Sequence, residues 1–217
     1  MIRSLVRPIG IAALGAMAGA AWVALAFVMQ PDFTLEMDRD LPRNVSGIYP
    51  PEYVRGGETF AWTARSARGS LPGLDRRVPW TCSVRLRGGR SAPLQQPVVE
   101  LGVDGVTAAT RLVTNAFEDV QAAIPASTLK AGLILTMTTS TTFVPGPGDA
   151  RELGVQIDRL QCRPAEGGIA LPPRRAYRDG MLAGALFGAA FGAIGITAGS
   201  AAGAVVLLTL AQAFPLA

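Results

Sequence analysis

Apolar and polar positions divide the chain into three parts. Ile9 to Met29 and Met181 to Ala213 contain no Asp, Glu, Lys or Arg, whereas the stretch between them mixes apolar and polar positions at short period. At Trp80-Thr81-Cys82-Ser83-Val84-Arg85-Leu86-Arg87 apolar and polar side chains exchange at every step, the period of a half-buried strand. Val99, Leu101 and Val103 repeat the alternation, and Asp104-Gly105 leads into Val106-Thr107-Ala108, so a tight hairpin is expected there. Phe60 to Arg65, Val120 to Ile124, Leu133 to Phe143 and Gly154 to Leu160 add further short strands, and only Ala126 to Lys130 suggests a helix. Seven or eight short strands punctuated by Pro and Gly predict a mainly β domain, an antiparallel β-sandwich, over 30–180.

Ile9 to Met29 is long enough, at roughly 1.5 Å per helical residue, to cross a hydrocarbon core of roughly 30 Å. Arg3 and Arg7 precede it, and Asp32, Glu36, Asp38 and Asp40, mixed with Arg39 and Arg43, follow it. The positive-inside rule then places residues 1–8 in the cytoplasm and the sandwich outside. Ala24-Leu25-Ala26 has the form of a signal-peptidase site, so a cleaved signal is the rival reading; the length of the apolar run favours an anchor. Residues 181–213 read as one tilted transmembrane helix. Its glycines at 184, 188 and 192, and again at 195, 199 and 203, form two ridges on which another helix could pack closely; the bland alternative is that glycine is simply frequent in such helices. Arg174, Arg175 and Arg178 precede this segment on the side assigned to the outside, against the rule, although a long domain translocates regardless of such charges. Residues 214–217 carry no charged cap. That end is expected either to be covered by a partner or to continue into a longer polytopic protein.

Of the 217 residues, 49% are hydrophobic and 17% charged, an apolar surplus that agrees with two membrane segments. The absence of histidine excludes Ser-His-Asp and Cys-His catalysis. Two cysteines cannot make a four-cysteine zinc site, and no metal or cofactor is expected. Asp149, Glu152 and Asp158 lie near Arg151 and Arg159 as ready ion-pair partners, with nothing to fix two carboxylates at a catalytic separation. Cys82 and Cys162 are expected to form a disulfide outside the cytoplasm, worth about 4 to 5 kcal/mol on the chain-entropy model; two buried thiols are the alternative. Arginine supplies nearly all of the basic charge, with a net +4 and a pI near 9.7. Arg85, Arg87 and Arg90 would line one exposed strand face just after Arg76 and Arg77, either simply solvated or meeting anionic lipid headgroups or a phosphate-bearing polymer. No nucleic-acid motif accompanies the charge. Aromatics are few, at 6%. Trp80 and Trp62 share the apolar face of their strands, while Tyr49 and Tyr53 flank Pro50-Pro51 in an expected loop. Tyr49, Tyr53, Trp62, Arg85 and Arg87 are the candidate ligand contacts.

Three further segments carry a resemblance: Gly47-Ile48-Tyr49-Pro50-Pro51-Glu52, Phe60-Ala61-Trp62-Thr63, and Thr142-Phe143-Val144-Pro145-Gly146 followed by Arg151 to Asp158. In their order they resemble the extracytoplasmic jelly-roll-like domain of bacterial polytopic membrane proteins of the glycosyltransferase type, over about residues 33–164. The resemblance implies a sandwich flanked by transmembrane helices in a bacterial inner membrane, acting beside a membrane glycosyltransferase in recognition or scaffolding of envelope glycans or glycolipids. It departs from that group in having one membrane segment after the domain where the group has many, so the embedded catalytic body is lacking and no enzyme activity is expected. The alternative is a structural subunit of a membrane complex that docks on a protein partner through its glycine-rich helix.

Overall fold

A computed structural model describes residues 2–29, 32–38, 44–53, 59–71, 74, 76–127, 132–165, 170–194 and 203, with backbone alone for 2–8. It divides into two compact units. Pro31–Ile169 form one; Met1–Gln30 with Ala170–Ala217 form the other.

The first unit holds nine strands: β1 (Phe33–Glu36), β2 (Val45–Tyr53), β3 (Thr59–Leu71), β4 (Trp80–Arg87), β5 (Val98–Val103), β6 (Val106–Leu112), β7 (Glu118–Ile124), β8 (Leu133–Thr139) and β9 (Gln156–Pro164). Every pairing is antiparallel. One layer runs β2-β3-β8-β5-β6 and the other β1-β9-β4-β7, joined where Ala61 and Trp62 of β3 pair with Ile157 and Gln156 of β9. The layers face each other across an apolar interior in which Ala67, Leu71, Leu135 and Met137 meet Val84, Ile157 and Leu160. This is a β-sandwich, and its core follows the period of two. Trp80, Cys82, Val84 and Leu86 are buried while Thr81, Ser83, Arg85 and Arg87 between them are half-exposed. Cys82 and Cys162 stand opposite each other in register and are joined in a disulfide.

The hairpin expected at Asp104-Gly105 is present. Asp104 has φ 53° and Gly105 φ 88°, the two positive values that a type I′ turn needs. Three features depart from the sequence reading. Strands β1 and β2 were not expected: β1 is only four residues long, and β2 carries Gly47 at φ 72° and Pro50-Pro51, with register shifts on either side of Ile48. Its prolines are tolerated because β2 lies at the edge of its layer. Tyr49 and Tyr53 therefore sit on a strand and not in a loop. The helix suggested at Ala126 to Lys130 falls partly outside the described residues, and residues 125–127 are irregular.

The second unit contains α1 (Ile2–Met29) and α2 (Arg174–Ala193), the latter opening after Pro172-Pro173. Residues 174–180, assigned from sequence to the β domain, are thus the first two turns of α2. Among the described residues, Ile9–Met29 is the one helix long and apolar enough to cross a membrane. The helices pack antiparallel, Ile11 against Gly188, Gly15 against Gly184 and Gly19 against Gly180. A methyl group added at Gly15 would collide with the Gly184 carbonyl, and one at Gly184 with that of Gly15. Backbones approach this closely only where both faces lack side chains. The ridge at Gly184 and Gly188 is therefore filled by this chain's own α1, through a Gly15/Gly19 pair that the sequence reading passed over. Gly192 is half-exposed, a methyl group added at Gly203 would meet no described residue within 4 Å, and Gly195 and Gly199 lie outside the described residues.

Candidate functional site

The outward positions of the β1-β9-β4-β7 layer form a polar grid. Alternation turns Thr81, Ser83 and Arg85 of β4 away from the core, and the same parity on β7 and β9 does so for Asp119, Gln121, Arg159, Gln161 and Arg163. Register then sets them side by side. Gln121, Ser83, Gln161 and Thr34 make one cross-strand row, and Asp119, Arg85, Arg159 and Glu36 the next. Thr81 stands opposite Arg163. Between these side chains lies a cleft of about 120 Å³ lined by Thr81, Ser83, Asp119, Gln121, Arg159, Gln161 and Arg163. None of the seven is apolar.

The internal bonds of this face leave part of it unengaged. Ser83 Oγ donates to Asp119 Oδ1 at 3.1 Å, and Gln161 Nε2 donates to Asp32 at 3.4 Å. Arg85 is held by Asp158 at 2.9 Å and Asp119 at 4.0 Å. Arg159 and Arg163 have no ion-pair partner among the described residues, although Glu36 stands across the strand pair from Arg159. Partial burial, with Asp158 nearby, pushes the Glu36 carboxyl above its ordinary value. The surface can therefore offer guanidinium and amide donors, and amide, hydroxyl and carboxylate acceptors, to a polar ligand.

The five sequence-derived candidates fall in different places. Arg85 borders the cleft. Trp62 is only 6% exposed and packs edge-on against Phe60 at 6.2 Å and Phe143 at 5.5 Å, so it belongs to the core. Tyr49, Phe117 and Phe143 pack on the same cluster. Their ring faces are taken by arginines: Arg151 lies 5.3 Å from the Tyr49 ring, Arg87 4.3 Å from Phe117 and 5.5 Å from Phe60, and Arg90 5.5 Å from Phe143. Such cation–π stacking covers a face of each of these rings and makes Arg87 part of the packing. Tyr53 is 72% exposed, its hydroxyl donating to the Asp38 carbonyl at 2.9 Å.

Arg90, expected on the exposed face, and Arg76, just upstream of it, are both buried instead. Arg76 is ion-paired with Asp104 at 2.7 Å and donates to the Pro125 carbonyl at 2.9 Å. Arg90 donates to the Gln95 carbonyl at 3.0 Å and to Thr141 Oγ1 at 2.7 Å, and its burial lowers the guanidinium pKa. The carboxylates near Arg151 and Arg159 also pair differently from one another. Asp149 and Glu52 bind Arg151 at 2.6 and 2.8 Å, while Asp158 binds Arg85 and not Arg159. Sequence reading missed Gln121, Gln161, Arg159 and Arg163. The parity of β7 and β9 was readable, but their register against β4, which gathers the four, was not.

No family model and no curated protein matches the chain. Similar solved structures include the C-terminal family 6 carbohydrate-binding module of a laminarinase from Zobellia galactanivorans, 10% identical, with TM-score 0.38, covering 61% of this chain and 98% of that one. A family 35 carbohydrate-binding module from Clostridium thermocellum is 12% identical, with TM-score 0.38, covering 62% and 98%. A Podospora anserina β-(1,4)-mannanase that contains a family 35 module is 10% identical, with TM-score 0.39, covering 64% of this chain and 28% of that one. None of these likenesses reaches a TM-score of 0.5.

Proposed function

We propose that this protein is a non-catalytic glycan-recognition module held at a membrane, with the outward face of the β1-β9-β4-β7 layer as its binding surface. The observation that carries the reading is the cleft lined wholly by polar side chains on three adjacent strands. Paired amides, hydroxyls and guanidinium groups fixed on strands match the dense, directional hydroxyl pattern of a sugar. The tether is the α1–α2 pair, which is inside-out for a water-soluble hairpin. Glycines fill its interior, while Leu14, Met17, Leu182, Leu186 and Phe187 point outward at 43 to 71% exposure. That distribution suits lipid, where packing of small residues replaces the hydrophobic drive.

The compartment proposed with this reading is the outer side of a bacterial inner membrane, with the N-terminus in the cytoplasm. A disulfide between β4 and β9 agrees with it. A membrane glycosyltransferase acting on envelope glycans is the neighbour that the resemblance implies. Docking of a foreign helix on the Gly184/Gly188 ridge loses ground, because α1 already fills it. The test is equilibrium binding of the full chain in phosphatidylcholine nanodiscs to a panel of neutral and acidic oligosaccharides. Binding of at least one class that falls tenfold or more in Gln121→Ala/Gln161→Ala supports the reading; no binding above empty nanodiscs refutes it.

A further inference from the structure

We infer that the glycan taken by this face is acidic, with single carboxylates on separated sugar units, as in a uronic-acid oligosaccharide; this rests on the glycan reading above. Arg159 and Arg163 both lie on the outward side of β9, with Gln161 between them. Four strand residues place their Cα atoms about 13 Å apart. Among the described residues neither Arg159 nor Arg163 has an ion-pair partner, although Glu36 stands across the strand pair from Arg159; Arg85 on the same face is held by Asp158 and Asp119.

A guanidinium without a carboxylate partner on a sheet face retains its full bidentate capacity for an incoming one. The spacing selects the type of anion. A doubly charged phosphate monoester is best held by converging free cations, whereas here Arg85, the neighbour of Arg159 across the strand pair, is already held by Asp158 and Asp119, Arg163 lies four residues further along β9, and the cleft also contains Asp119. One singly charged group per arginine fits that layout. Gln161 between them, and Gln121 and Ser83 in the same cross-strand row, would meet the hydroxyls of the intervening units.

The test uses the full chain in phosphatidylcholine nanodiscs, titrated calorimetrically with tetragalacturonate and, separately, with the neutral probes xylotetraose and cellotetraose. Tetragalacturonate should bind at least tenfold more tightly than either neutral probe, and weaken severalfold between 50 and 300 mM salt. Arg159→Gln and Arg163→Gln should each reduce that binding by fivefold or more while leaving the melting temperature unchanged. Arg151→Gln, at the aromatic end, should leave it unaltered. Neutral probes that bind as well as the acidic one, through Gln121 and Gln161, would overturn the charge selectivity and leave the glycan reading standing. Absence of tetragalacturonate binding would overturn the acidic-glycan inference, and only absence of binding across the whole panel of neutral and acidic oligosaccharides would overturn the glycan reading as well.

Discussion

Arg76 shows how little the type of a residue tells about its work. It is 3% exposed, and its guanidinium ties Asp104 at the β5–β6 turn to the Pro125 carbonyl. Asp104 in turn accepts from the backbone N–H of Ile134 at 3.2 Å. Removing one member of a buried pair strands the other, so Arg76→Ala should lower stability by about 3 to 5 kcal/mol, read as a lower urea midpoint. Arg85→Ala, on the half-exposed outer face, should cost under about 1 kcal/mol. Nothing in the sequence separates these two arginines, because burial depends on which carbonyls the fold brings together. Trp80 and Cys82 were legible as core, since their environment follows from parity within one strand. Asp149 gives a pH signature. Its hydrogen bonds from Arg151 lower its carboxyl to about 2, below the roughly 3.9 of an unfolded aspartate. Its contribution is therefore complete above about pH 4 and is lost as pH falls toward 2. Acid titration of the melting temperature should show that loss in the natural chain and a smaller one in Asp149→Asn.

At the scale of elements, strands with regular alternation were readable and those shaped by their neighbours were not. β4, β5, β7 and β8 bury every second residue. β2 has no such signal, since Gly47 and two prolines read as a turn, and it forms a strand only because β3 offers an edge. The disulfide joins directly opposed residues of β4 and β9 across 80 positions of chain. Cys82→Ala/Cys162→Ala should cost about 2 to 5 kcal/mol, measured by denaturation against the oxidised chain. The helix pair poses the same problem as β2. The glycines of α2 were visible, but their partner could not be identified until Gly15 and Gly19 were seen against them. Peptides spanning 2–29 and 174–193, labelled for energy transfer in lipid bilayers, should associate. Gly184→Leu should lower the transfer to the level of non-interacting helices, and unchanged transfer would refute the close approach.

For the molecule as a whole, the outer face of the β1-β9-β4-β7 layer is what distinguishes a recognition role from a purely structural one. The sandwich class followed from counting short strands, but the polar cleft depends on the register of three of them. The aromatic end, where sequence reading looked first for sugar contacts, is packed and capped by arginines. These two faces make opposite predictions. The most direct measurement is the affinity of the full chain in nanodiscs for tetragalacturonate, compared between Gln121→Ala/Gln161→Ala and Arg151→Gln, with folding of each verified by its melting temperature. A tenfold or greater loss in the glutamine pair, with Arg151→Gln unchanged, is the result predicted here. Full binding by the glutamine pair, or loss confined to Arg151→Gln, would contradict the assignment and move recognition to the aromatic end.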